Sequence, residues 1–191
     1  DFHEAAFDGD AAGAVLDAFE AVELSPCVYV SRPDVDVVVG DAPSTNPDHL
    51  AFIGPWLGRG DLRHVVAEDT VFCIGIAGCD PRRLAEARDA VGTLAEAVVT
   101  RDVVLGGATL MVRPRGISKW AGVVAFCRRH GLDPDRVLAV GDGENDVELL
   151  RGASVACVVR DGCESALALA DHLLDPPGRG GWADILAWTG I

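Results

Sequence analysis

Apolar positions along the chain fall into two periods, and the change between them divides it. Ala11, Val15, Phe19 and Val22 recur at helical spacing, with Asp17, Glu20 and Glu23 among the polar positions, which predicts a helix over 11–22. Ser25-Pro26 breaks it. Cys27–Ser31 and Val35–Val39 are rich in β-branched residues and flank Arg32-Pro33-Asp34, the pattern of a hairpin. Gly40–His49 reads as a loop, and Leu50–Leu62 has no clean period. Thr70–Ile76 is a strongly apolar strand. A turn at Gly78–Asp80 follows, with Asp80 as N-cap and Pro81 at the first helical position. The helical stripe then continues through Leu84, Ala87, Val91 and Leu94. Ala97–Val103 and Ala108–Val112 predict two further strands joined across Gly106-Gly107. Strands in runs, broken by two helices, predict an α+β layer over residues 1–112, with helices on one face of a mainly antiparallel sheet.

Past Arg113-Pro114-Arg115-Gly116 helices and strands alternate. Trp120, Val123, Val124 and Cys127 mark a helix that stops at His130-Gly131, with glycine at the expected C′ position. A strand at 137–140, a helix at 145–151 and a strand at Ser154–Val159 follow. Then come a helix at Glu164–Ala170, a short strand at Leu173-Leu174, a Pro/Gly loop at 176–181 and a helix near Trp182–Trp188. Alternation of this kind predicts a parallel sheet over residues 113–191. The expected class is therefore α/β, a parallel-sheet domain preceded by an α+β domain.

Composition narrows the functions. A formal net charge of −14 disfavours nucleic acid and anionic membranes, which both require a basic surface. The longest strongly apolar stretch, Val71–Ala77, is far short of the roughly 20 residues of a membrane-spanning helix. The six cysteines form no CxxC pair and no Cys/His metal spacing, so a reducing, cytoplasmic compartment is expected. His3, His49, His64 and His172 are scattered, Ser118 lacks a hydrolase frame, and the four tryptophans read as core or interface residues. Of the 16 basic residues, Lys119 is the lone lysine. An ammonium is a compact point charge with three donors, which a guanidinium cannot imitate.

Two stretches carry chemistry. Gly116-Ile117-Ser118-Lys119 puts that lysine at a helix N-terminus, where backbone amides and the helix dipole favour an anion. One strand later, Val137-Leu138-Ala139-Val140 runs into Gly141-Asp142-Gly143-Glu144-Asn145-Asp146. This is where an open parallel sheet places a site, beyond the carboxyl end of a strand. Asp142, Asn145 and Asp146 fall on one face if a helix begins near Gly143, a set suited to a hard cation such as Mg²⁺. The same residues also suit a helix-capping turn.

Gly-Ile-Ser-Lys followed by Val-Leu-Ala-Val-Gly-Asp-Gly-Glu-Asn-Asp resembles the third and fourth motifs of haloacid dehalogenase (HAD) superfamily phosphatases, and among them the Cof-type sugar-phosphatase branch. The resemblance implies an α/β cap over 1–112 and the second half of a Rossmann-like core over 113–191. It implies that Lys119 steadies the nucleophile and the transferring phosphoryl group. Asp142 and Asp146 would serve the Mg²⁺ site, and Asn145 the phosphate. The implied reaction is hydrolysis of small phosphomonoesters, sugar phosphates among them, through an aspartyl-phosphate. Arg59, His64 and Asn46, in irregular cap segments, would be placed to meet substrate.

The family's first motif, Asp-x-Asp-Gly-Thr/Val after an apolar strand, is absent. Asp8-Gly9-Asp10 follows no strand and lacks the downstream residues. The second motif, a Ser or Thr ending a core strand, is also absent. The chain is therefore expected to be the C-terminal part of a longer enzyme, with 113–191 under-packed and one edge of strand 137–140 unpaired. The other expectation is a non-catalytic relative that binds a partner or a phosphorylated ligand.

Overall fold

The computed structural model describes residues 5–186. They form two compact units, Ala5–Gly116 and, from Ile117, a second comprising residues 117–186. Among these residues no helix is long and apolar enough to cross a membrane.

The first unit is a six-stranded sheet. Its strands are β1 (Cys27–Val30), β2 (Val37–Val39), β3 (Leu57–Arg59), β4 (Val71–Cys79), β5 (Glu96–Arg101) and β6 (Ala108–Arg113). Their order is β3-β2-β1-β4-β6-β5. All neighbours are antiparallel except β2 and β3. The β1–β2 hairpin pairs Tyr29 with Val37. Helices α1 (Gly9–Ala21), α2 (Pro47–Ile53), α3 (Leu62–Glu68) and α4 (Pro81–Val91) complete the unit. Phe19 of α1, Val65 of α3 and Leu84 of α4 enter one core with Ile74, Ile76, Leu110 and Val112. Alternation along β6 explains this: Ala108, Leu110 and Val112 are buried, while Thr109, Met111 and Arg113 point to the other face. There α2 covers one end, with Leu50 and Ile53 packed on Cys27, Val37 and Val39.

Several boundaries differ from the sequence reading. The loop expected to run to His49 ends at Asn46, whose side chain caps α2 by accepting from the Asp48 amide (2.8 Å) with Pro47 following. His49 therefore lies on a helix. The stretch without a period, 50–62, holds the end of α2, a 3₁₀ turn at Gly54–Trp56 and the short strand β3. β4 continues through Gly78 to Cys79, with its pairing to β6 shifted between Ile76 and Cys79. The β5–β6 connection is closed by Asp102, which accepts from the amides of Val104 (3.0 Å) and Leu105 (2.8 Å) and from the Thr109 hydroxyl (2.7 Å). Asp8 caps α1 by accepting from the Ala11 amide at 2.7 Å, so this carboxylate is occupied in building a helix.

The second unit contains β7 (Leu138–Gly141), β8 (Val155–Val159) and β9 (His172–Leu174), all parallel, in the order β7-β8-β9. Helices α5 (Lys119–His130), α6 (Val147–Gly152) and α7 (Glu164–Leu167) alternate with them. Gly131 ends α5 in the left-handed conformation (φ +64°), which its lack of a Cβ permits. Among the described residues the core is small: Ala139, Leu150, Ala156, Val158 and Ala166 are its buried members, three of them alanines. β7 lies at the edge of this sheet, so among the described residues one side of its backbone has no strand partner. The helix expected at 164–170 shortens to α7. The one expected near 182–188 is a 3₁₀ turn at Gly181–Ile185, and from residue 187 onward that expectation lies outside the described residues. All six cysteines are free.

Candidate active site

The site begins with the helix that carries Lys119. Ser118 caps α5, its hydroxyl accepting from the Ala121 amide at 3.1 Å, so Lys119 is the first helical residue. Its neighbour Trp120 fixes the helix against α6. A Cβ placed on Gly152 would lie 2.3 Å from two indole carbons, so the ring rests directly on that glycine. The root of the lysine is thus set by a packing contact.

The tip of β7 supplies the carboxylates. The strand ends at Gly141, and Glu144–Asp146 form a 3₁₀ turn that runs into α6. The turn closes on itself. The Asp146 amide donates to the Gly143 carbonyl (3.0 Å), and Asp146 Oδ2 accepts from the amides of Asp142 (3.0 Å) and Gly143 (3.1 Å). The return of this side chain demands glycine at 141, because a Cβ there would stand 2.6 Å from the Asp146 Cβ. Gly143 is likewise crowded, with Asn145 Oδ1 2.7 Å from where its Cβ would be.

The other oxygen of Asp146 meets the lysine: Lys119 Nζ donates to Oδ1 at 2.5 Å. Asp146 is 5% exposed, whereas the Lys119 side chain is 44% exposed. Burial alone would raise the Asp146 pKa. The bond from Lys119, the two turn amides and the lysine charge more than reverse this, and hold it below the ordinary carboxylate value. A carboxyl whose folded pKa is depressed stabilises the fold above its unfolded pKa, and that stability is lost as pH falls through the folded value. The Lys119–Asp146 pair is therefore expected to persist through neutral and mildly acidic pH and to open only at pH below the ordinary aspartate range. A ¹³C-carboxyl titration of Asp146 checks this; a midpoint above that of a free aspartate would contradict it.

The structure thus joins Lys119 and Asp146 directly and ties Asp142 to them through its amide. The Asp142 and Asn145 side chains are exposed at the tip of the turn. Asp146, expected among the metal ligands, spends both oxygens on the lysine and the turn. Among the described residues no group of three or more His, Cys, Asp or Glu side chains gathers as a metal cage. Two contributors escaped the sequence reading. The Cys163 amide donates to the Asp142 carbonyl at 2.7 Å, and Gly162 makes room for that approach, since its Cβ would lie 2.9 Å from the same carbonyl. The 160–163 turn therefore buttresses the tip of β7 from the end of β8. Of the expected substrate contacts in the first unit, Arg59 donates to the Gly40 carbonyl (3.0 Å) and Asn46 caps α2, so both hold loops in place.

A family model for haloacid dehalogenase-like hydrolases matches residues 86–186, just over half of the 191. The chain belongs to this family. Over 85 residues it is 34% identical to the phosphoglycolate phosphatase of Methanopyrus kandleri, a match covering 44% of this chain and 37% of that protein. A 77-residue stretch is 38% identical to part of the chloroplast endoribonuclease YBEY of Arabidopsis thaliana, covering 40% of this chain and 13% of that protein. The matched stretches thus span well under half of these relatives. Among solved structures, a HAD subclass IIB sugar phosphatase superposes with a TM-score of 0.75 over 99% of this chain and 69% of its own, at 18% identity. That likeness establishes the HAD fold expected from the two motifs.

Proposed function

We propose that this HAD chain carries the cation and metal half of a phosphatase site acting on small phosphomonoesters. The observation that carries the reading is the Lys119–Asp146–Asp142 turn. A buried carboxylate pins an ammonium that keeps two donors free, beside an exposed carboxylate at the end of a parallel strand. Charge on a transferring phosphoryl group spreads over its oxygens, and donors fixed in advance stabilise it without reorganising. Lys119 would meet those oxygens. Asp146 would act as a positioning residue, holding the ammonium in place and closing the turn.

The donor set fits Mg²⁺. Asp142 offers an exposed carboxylate and Asn145 a neighbouring amide oxygen, and Mg²⁺ takes one or two carboxylates, with waters and phosphate oxygens filling the other positions. Asp142 would hold the ion, with Asn145 beside the phosphate. Bound there, the ion would supply neutralising charge to the phosphate oxygens.

The attacking group in this reading is an aspartate on a strand that pairs with the free edge of β7. The aspartate oxygen bonds to phosphorus as the ester oxygen leaves, and water then hydrolyses the aspartyl-phosphate. The edge of β7 that has no strand partner among the described residues and the alanine-rich core described for the second unit support this, since both ask for a further covering element. The six-stranded unit, residues 1–112 in the sequence reading, would serve as the substrate-selecting cap. The relatives' names offer two substrate classes, phosphoglycolate and sugar phosphates.

The test is phosphate release from 2-phosphoglycolate and from hexose phosphates, with the chain joined behind a strand bearing Asp-x-Asp. Turnover is expected with Mg²⁺, is lost on chelation, and needs at least about tenfold more Mg²⁺ in Asp142→Asn. Turnover indifferent to both changes would overturn the metal assignment. Binding of these esters without turnover in the joined protein would favour a non-catalytic module.

A further inference from the structure

A cavity of about 510 Å³ opens on the six-stranded unit, between α2 and the turn that joins β5 to β6. Asp48, His49 and Phe52 of α2 line one wall, and Asp102, Val104 and Leu105 of the turn line the other. That volume is in the range of small-molecule sites. The two walls are tied together at one end. Asn46, the cap of α2, donates from Nδ2 to the Leu105 carbonyl at 3.4 Å. Both side chains close over Gly78, where a Cβ would stand 2.8 Å from the Cβ of each. The cavity is therefore built by the fold of this unit alone.

The lining combines two carboxylates with open apolar surface, and it holds no Lys or Arg. The Asp48 side chain is exposed, and among the described residues its carboxylate has no hydrogen-bond or ion-pair partner. Asp102 is fixed by the bonds that close the turn. The Leu105 amide, with the Thr109 hydroxyl and the Val104 amide, holds its pKa below the ordinary carboxylate value against the rise from burial. Burial lowers the His49 pKa, with the Asp102 charge acting against the fall, so the ring adds no cation at neutral pH. Its Nε2 lies 3.2 Å from the Tyr29 hydroxyl, which fixes the ring. Phe52 and Val104 are each 88% exposed although they line a cavity, so apolar surface stands open on both walls. The face of an aromatic ring carries negative charge density and adds to the field of the carboxylates.

We propose that this cavity binds a small organic cation, a primary ammonium carried on an apolar body. The ammonium would donate to the carboxylates of Asp48 and Asp102, bonds stronger than those between neutral groups. The apolar body would cover Phe52 and Val104, whose exposed surface is then removed from water. The net charge of −14 draws a cation toward the unit before any contact forms. An anion would meet two carboxylates and no compensating charge. A neutral ligand would leave those carboxylates without a counter-charge. A bare metal ion would make no use of the apolar walls, and among the described residues no group of three or more His, Cys, Asp or Glu gathers to hold one. The assignment is independent of the chemistry at Lys119 and Asp142.

In the ¹⁵N-labelled chain the amides of α2 and of the Asp102–Leu105 turn read the site. Phenethylammonium should shift them saturably. Phenethyl alcohol, the same body without the charge, should bind at least about tenfold more weakly, and phenylpropionate should not bind. Ammonium chloride at matched ionic strength should leave the amides unmoved, because it lacks the apolar body. Asp48→Asn removes a carboxylate that holds nothing else in the fold, and it should weaken phenethylammonium binding by at least about tenfold. No response to phenethylammonium, alcohol or carboxylate binding within about tenfold of it, the same shifts with ammonium chloride, or undiminished binding by Asp48→Asn would each overturn the proposal. The wild-type titrations decide it even if the variant does not fold. The measurement needs neither turnover nor Mg²⁺, so its failure leaves the reading at Lys119 and Asp142 standing, and the converse also holds.

Discussion

In the chain joined behind a strand bearing Asp-x-Asp, Lys119→Ala is expected to lower kcat/KM for phosphomonoester hydrolysis by about 10²–10³-fold, the usual effect of deleting one fixed donor to developing charge. The expectation follows from how the ammonium is held. Asp146 takes one of its three donors and locks its position, so the other two are presented at no further ordering cost. Lys119→Arg should restore little of the loss. A guanidinium is longer and planar, and it would reach past Asp146 Oδ1 or push that side chain off the turn. The loss should fall mainly on kcat, since the interaction strengthens as the phosphoryl group transfers. A lysine variant that changes KM alone would place the ammonium in substrate binding.

The second large effect concerns stability. Asp146→Ala is expected to destabilise the second unit by about 2–4 kcal/mol, because it orphans the amides of Asp142 and Gly143 and leaves the ammonium without its partner. The loss stays in this range because the Lys119 side chain is 44% exposed and water repays part of it. With a core of a few small side chains, that sum is a large part of what holds the unit together. Asp146→Asn, which can still accept from the turn amides, should lose less. Hydrogen exchange should show faster opening of the β7 and α6 amides, with the amides of β4 and β6 unchanged. Uniform loss of protection in both units would contradict the local account.

These two effects rest on side chains that differed in how legible they were. Lys119 stood out because it is the lone lysine and sits directly after a capping serine. Asp142 stood out because it ends an apolar run between glycines. Long periodic elements were equally plain: α1, α4 and α5 each show several apolar positions on one face, and β4 is a continuous apolar run. The short elements were not. A seven-residue helix such as α2 contributes one apolar pair, Leu50 and Ile53, and that is too little to show a period. β3 owes its existence to parallel pairing with β2 across an intervening helix, and no local pattern encodes such a partner. At the site, residue types were legible but directions were not. Asp146 turns back to the amides of its own turn because Gly141 leaves room for it, a fact of three-dimensional approach. The support from Gly162 and Cys163 depends on β8 lying beside β7, a contact made by tertiary pairing alone.

The amides of residues 141–146 report most directly on whether this turn is a metal and phosphoryl site. In ¹⁵N-labelled protein, Mg²⁺ is predicted to shift them saturably, with the largest changes at Asp142 and Asn145, and Asp142→Asn should raise the Mg²⁺ needed by at least about tenfold while leaving the Lys119–Asp146 bond in place. Shifts that saturate at the same Mg²⁺ in Asp142→Asn, or that centre on residues away from the tip of β7, would contradict the account.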